Sequence, residues 1–465
     1  MFFMRSFGCA FFIIRRKEMK RKIVKSIAYF IAIVLLILSV SGCSQNHATN
    51  SGNSSSDITI SGNNSLAENN AEPQTEHISE VPDGYIGIYT VEDLQNSTYN
   101  TEANYILMND LDLSSVADWD GINNDSVFDG NNYTISNLKS TKSGLFLNSD
   151  SIVNLNLENV DINLKENVEG GDDYPGEIGA LARFAHNVEN CTATGKLNYN
   201  KGTAPWQYIG GMVGRYYSDD TSIKNCKCGV NITYKQVNND AADSVIGGIC
   251  GEVQVGGNKK IENCEYYGTI TAENVSIGGI LGRNFYQKLE MNNCTFSGTI
   301  SCNFNNNDSS YVFSGQKIIG GILGHCDYNT VIKNCRNIGE ISANVNLDEV
   351  PRFNYSFGGI VGNYSRRSVT LLNCYLAGEF NIQGENKQVG ALIGSDSDSD
   401  LHISNCAYLK NDSYGIIATN AMFANCKAMT EEKMQDINNY PFDNKNEWKN
   451  VKGSYPIHNA TNETA

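Results

Sequence analysis

Fourteen cysteines, six histidines and 51 carboxylates are the groups in this 465-residue chain able to break bonds or hold a metal. Their spacing decides which chemistry is open. Zinc-peptidase chemistry needs two His flanking a Glu on one helical face, His-Glu-x-x-His. His47, His77, His186, His325, His402 and His458 never fall in that arrangement. Structural zinc asks for paired Cys-x-x-Cys, whereas Cys226-Lys-Cys228 stands alone. Glycan cleavage needs two placed carboxylates, or Asp-held calcium beside a basic residue. The candidates are Asp110 with Asp112, Asp219 with Asp220, and the run Asp396, Asp398, Asp400. The first pair reads as turn and strand-end residues, and the last run lacks the later Gly and Glu of a calcium loop. With no nucleophile elbow, phosphate loop or triad spacing either, the expectation is no catalytic residue, no metal and no cofactor.

Eight cysteines do something else. Cys191, Cys226, Cys264, Cys294, Cys335, Cys374, Cys406 and Cys426 each follow an Asn, at intervals of 20 to 41 residues. Seven copies carry an upstream glycine motif, such as Ile209-Gly-Gly-Met-Val-Gly and Ile277-Gly-Gly-Ile-Leu-Gly. The copy at Ile178 has Arg183 where the others close on Gly, as a terminal unit does. From the motif's first Gly to its Cys the distance is 12 to 17 residues, while the return path varies from 14 to 26. One side of each unit is tied and the other absorbs insertions, the mark of stacked repeats.

An apolar residue lies three before each Cys and, in six of the eight copies, another lies six after it, as with Ile261, Cys264 and Ile270. Strand side chains alternate with period two, so Ile261 and Cys264 share an inside only if a corner separates them. Asn263 suits that corner because Asn tolerates the left-handed conformation. The architecture expected is all-β: a right-handed parallel β-helix of eight to ten coils, with a disordered N-terminal tether and a small C-terminal cap. The cysteines should form a buried ladder of free thiols, since parallel in-register Cβ vectors do not suit the S–S torsion.

The Gly-Gly-Ile-Leu-Gly units, with Asn104–Leu113, Phe128–Leu138 and Gly144-Leu-Phe146 ahead of them, resemble the GLUG-motif proteins of bacterial cell surfaces over residues 88–457. The resemblance implies a β-solenoid and a surface role. Similar repeats flank the catalytic part of immunoglobulin-A-cleaving metallopeptidases, whose zinc motif is missing here.

The ends set the expected address. From Met19, Lys20-Arg21-Lys22 and Lys25 precede an apolar run from Ile27 to Val40 and then Ser-Gly-Cys43, in the order of a secretory signal. Val40-Ser-Gly-Cys43 resembles a lipobox, which implies cleavage before Cys43, a diacylglycerol on its sulfur with palmitate-type acyl chains, and anchorage in the membrane at the extracytoplasmic face of a bacterial cell. Fourteen apolar residues fall short of the ~20 of a span. The expected domains are 1–42 signal, 43–84 linker poor in apolar residues, 85–165 N-terminal coils, 166–426 repeats and 427–465 cap and tail. Positions 1–42 hold 8 of the 35 basic and one of the 51 acidic residues, so the remainder carries a formal −23. Nucleic acid is therefore excluded as a partner, and a monomer is expected.

Just after the glycine motif, Arg215, Tyr216, Tyr217, Arg283, Phe285, Tyr286, Tyr328, Tyr364 and Arg366 recur at equivalent points. Stacked coils would line them into an aromatic and cationic stripe for a glycan or host-surface ligand. The function expected is a non-catalytic, adhesive or glycan-binding surface lipoprotein; the alternative is a polysaccharide lyase or glycoside hydrolase on the same scaffold.

Overall fold

The computed structural model describes residues 77–164, 176–200, 206–216, 221–235, 243–254, 256–305, 316–346, 354–365, 367–385, 387–395, 400–411, 414–415 and 422–459. Cys43, Tyr217, Arg366, Asp219, Asp220, Asp396 and Asp398 lie outside these residues. The described part of the chain is a parallel β-solenoid of three long sheets, each strand pairing with its counterpart one coil away. The first sheet begins with Tyr85–Ile88, Asn104–Leu107, Ile122–Asp129 and Phe146–Val153 and ends with Met422–Ala424. It carries twelve rungs rather than eight to ten, because those four N-terminal strands already wind as coils. The third sheet starts only at Glu177–Gly179 and has seven strands.

Inside, like lies on like. Ile178, Ile209, Ile246, Ile277, Ile319 and Phe357 form one in-register column and are fully buried. Burying each is worth about 1.5–3 kcal/mol, an upper figure because the unfolded chain already hides some of that surface.

The Asn-Cys corner is built as its residue types require. Asn190, Asn225, Asn263, Asn293, Asn334, Asn373, Asn405 and Asn425 all have φ between 52° and 54°. A left-handed backbone costs most L-residues roughly 1–2 kcal/mol, and Asn bears it best. Their amides also stack: Asn225 donates to Asn190 at 3.0 Å, Asn263 to Asn225 at 2.9 Å and Asn293 to Asn263 at 2.8 Å. Each following Cys turns inward. Cys226 donates to the carbonyl of Lys224 at 3.0 Å, Cys294 to Ile261 of the previous coil at 3.4 Å, and Cys374 to Ile332 at 3.5 Å. A thiol is small, apolar and a weak donor, so it fills the corner and serves carbonyls that the interrupted strand leaves over. All eight are unbridged, seven buried and Cys426 half-buried.

Two boundaries differ from expectation. His77 and Ile78, assigned to the linker, dock on the solenoid: the His77 ring stacks on Tyr133 at 4.1 Å, and Ile78 N–H donates to Asn131 at 2.7 Å. The C-terminal segment, with its short helix Glu431–Met434, covers a flank instead of the end. Met434, Tyr440, Phe442 and Trp448 cluster with Tyr375, Ala377 and Ala407 of the second sheet, and Tyr375 donates to Pro456 at 2.6 Å. Tyr375 and Ala407 face outward and give the segment an apolar seat, while Met422 of the last rung stays 60% exposed.

Burial pushes the core thiols up, Cys228 and Cys302 to about 12 and Cys326 to about 11, from an ordinary 9.0. Unfolded thiols ionise near 9 while the folded ones stay protonated, so above that pH the unfolded chain binds fewer protons and stability falls as pH rises. The urea midpoint should hold level up to about pH 8.5 and drop steadily through about pH 11. A level midpoint across the alkaline range would contradict the burial of these groups.

Candidate functional site

The glycine motif makes the turn from the third sheet into the first. In one coil Trp206–Gly210 ends, Gly211 and Met212 turn, and Val213–Tyr216 begins. A Cβ on Gly210 would stand 1.8 Å from the Val213 carbonyl oxygen, and one on Gly214 would stand 2.5 Å from the Ile178 nitrogen of the previous coil. Gly247 with Gly251 and Gly278 with Gly282 are closed in the same way. Only glycine allows backbones this near, and the outer faces of the two sheets fold toward one another into a concave elbow. Arg183 replaces the closing glycine where, among the described residues, the third sheet has no earlier strand for its side chain to strike.

Residues seven apart meet across this elbow. Tyr208 faces Arg215, whose guanidinium lies 4.7 Å from the ring centre. On the first-sheet side the positions Phe184, Arg215, Glu252, Arg283, His325, Asn363 and Ser395 form one in-register column. Its middle is an alternating charge ladder. Glu177 takes Arg183 at 3.1 Å and Arg215 at 3.2 Å; Glu252, fully buried, takes Arg215 at 3.1 Å and Arg283 at 2.5 Å. Buried charges of one sign stacked about 4.8 Å apart would repel, and alternation removes that conflict.

One coil further, His325 Nε2 lies 3.4 Å from Asp327 Oδ1, and Ser365 Oγ donates to the same oxygen at 2.7 Å. Ser365 Oγ is also 3.5 Å from His325 Nε2. A hydrolytic triad puts Ser and Asp on opposite ring nitrogens. Here both sit at Nε2, so the hydroxyl is bound to the carboxylate and is not readied for attack. Around this polar floor stands a rim: Phe285 and Tyr286 meet edge-on at 4.3 Å, Tyr286 is 40% exposed, and Arg367 lies 5.6 Å over half-buried Tyr328.

The aromatic and cationic stripe therefore needs correction. Tyr216 and Tyr364 are buried in the core, because they occupy the strand positions next to Arg215 and Asn363 and so point to the opposite face. Tyr216 donates to the Ser222 carbonyl at 2.9 Å, and burial pushes its phenol well above the ordinary range. Arg215 and Arg283 face the elbow but are held by Glu252. Phe285 and Tyr328 are half-buried, with Arg283 4.6 Å over the first ring and Arg367 5.6 Å over the second, and Tyr286 is exposed. Glu177, Glu252, His325, Asp327 and Ser365 were not singled out from sequence; the seven-residue offset, visible in Tyr208 and Arg215, is the signal that finds the elbow column. No group of three metal-binding side chains occurs among the described residues, and none of their helices is long and apolar enough to cross a membrane.

Removing one partner of a buried ion pair strands the other, at a cost of about 3–5 kcal/mol. Glu252→Gln should therefore lower unfolding stability by about 3 kcal/mol or more, while Lys227→Gln, which breaks the half-exposed pair with Glu265, should cost under about 1 kcal/mol. Equal losses in denaturant titrations would show that the elbow ladder contributes no more than a surface pair.

No family model matches this chain, and no curated protein matches it. Two solved structures are similar. One, a Bacteroides ovatus protein provisionally called an immunoglobulin A1 protease, is 17% identical over 80% of this chain and 91% of its own, with a TM-score of 0.40. The other, an IgA1 protease, is 17% identical over 72% of this chain, with a TM-score of 0.40, and the likeness spans 23% of its length.

Proposed function

We propose that this chain is a non-catalytic GLUG-type β-helix, held to the outside of a bacterial membrane by a lipid on Cys43, that contacts glycans through the rim above the elbow. The observation that carries the reading is the aromatic rim of exposed Tyr286 and half-buried Phe285 and Tyr328, with Arg367 over Tyr328 and the Asp327–Ser365 hydrogen bond next to it in sequence. Sugar rings offer C–H faces that pack on aromatic rings and hydroxyls that bond to carboxylate and guanidinium groups. The GLUG assignment is supported by the steric need for each motif glycine. Lipid anchorage rests on the order of basic residues, apolar run and Val40-Ser-Gly-Cys43. Of the elbow carboxylates, Glu177 and Glu252 are each engaged by arginine, and Asp327 accepts from Ser365 and lies beside His325.

A glycan array probed with the mature chain, with and without calcium, tests the binding role. Signal is expected for the native chain and loss of most of it for Tyr286→Ala with Tyr328→Ala; an array that stays blank in both conditions defeats the reading. Cys43→Ser should move the protein from the membrane fraction to the soluble one, and retention in the membrane would refute lipid anchorage.

A further inference from the structure

The outer face of the second sheet holds a recess that shares no residue with the elbow. Along most coils this face is a regular strand surface. Near residue 195 it is not: Thr192–Asn200 pairs with Asn156–Leu164 through a register shift between Ala193 and Gly195. Gly195 has φ +127°, and a Cβ there would stand 2.3 Å from both the nitrogen and the oxygen of Val160. Asn159, on the opposing strand, is left-handed at φ 52°, and its amide donates to Asn137 at 2.6 Å. The irregular strand opens a cavity of about 380 Å³. It is the size of a small-molecule site.

Its lining is polar and carries excess positive charge on a strongly acidic protein. Lys139, Asp161, Lys196 and Asn231 stack in register on four successive strands, a row of about 14 Å at the normal strand spacing. Asp161 pairs with Lys196 at 3.2 Å, and their side chains are 31% and 54% exposed. Lys139 is exposed and makes no ion pair among the described residues, so one ammonium is left over in the recess. Outside this lining, on the strand that carries Asn231, Gly229 is covered by Tyr267: a Cβ there would meet the ring at 2.3 Å, the tyrosine stays 46% exposed, and Glu265 and Glu158 lie near its phenol. A ring laid on bare backbone and open to solvent is a stacking platform.

We infer that this recess binds a carboxylated saccharide, with Lys139 and Lys196 holding the carboxylate, the Asn231 amide a hydroxyl, and Tyr267 the ring face. The inference takes its ligand class from the glycan reading above but uses different residues on a different sheet, so the two can fail separately.

Titration calorimetry of the full mature chain with trigalacturonate and with sialyllactose tests it, using methyl-esterified trigalacturonate and sodium acetate as controls. At least one acidic sugar should bind, with affinity falling about fivefold or more at raised salt or in the Lys139→Gln/Lys196→Gln double variant, since the attraction is exposed and screened. The methyl ester should bind about tenfold more weakly than the acid, and acetate should not compete. Lys260→Gln, at an exposed lysine of the first sheet outside both sites, should leave this binding unchanged, and an unchanged melting temperature for the double variant shows that its fold is intact. Equal binding by the double variant, by the ester or by acetate overturns the assignment. Loss of acidic-sugar binding in Tyr286→Ala alone overturns it while leaving the rim in place; silence from both acidic sugars with a positive array does the same.

Discussion

Stacking in register constrains every position of the described coils. A residue in a parallel solenoid sits about 4.8 Å from its counterparts in the neighbouring coils, so each place in the repeat becomes a column that must be compatible with itself. Glycine passes that test where backbones nearly touch, as Gly298 does over Gly268, where an added Cβ would stand 2.1 Å from an oxygen. Asparagine passes because its amide both donates and accepts, so it can hand a hydrogen bond down the column. Cysteine passes inside because a protonated thiol carries no charge and can bond to the carbonyls of the coil before. Charged residues pass only by alternating, as Arg215, Glu252 and Arg283 do at the elbow.

The same constraint explains where concave surfaces arise. A regular rung offers a flat, repetitive exterior, and concavity requires a departure from it. The motif glycines provide one departure by folding two sheets together; the Gly195 irregularity provides another by shifting one strand against its neighbour. Beneath the elbow rim the charge ladder fixes the floor, and variation is left to the side chains that rise above it, Tyr286, Tyr328 and Arg367.

Much of this was legible in the chain itself. The Asn-Cys interval, the fixed distance from glycine motif to cysteine, and the variable return path give coils, corners and loops directly, and Asn263 at φ 54° is the corner its residue type demands. Alternation phase was not legible, because it depends on which residue begins the strand after the corner. Arg215 and Tyr216 are neighbours, yet one faces the elbow and the other the core. Glu252 reads as a solvated acid in isolation and is fully buried only because two arginines arrive from adjacent coils. The recess at Lys139 and Lys196 depends on a register shift, a relation between strands that no single strand encodes. The flank position of the C-terminal segment likewise depends on Tyr375 and Ala407 facing outward.

Counting accessible thiols in the mature chain before and after denaturation, by reaction with a chromogenic disulfide reagent, probes the common axis most directly. The native protein should leave the Asn-Cys thiols unreactive except half-buried Cys426, and the denatured chain should yield all twelve of the free cysteines. Prompt reaction of the ladder in the native state, or a shortfall after denaturation that only a reductant restores, would contradict a solenoid that keeps these thiols free and inside.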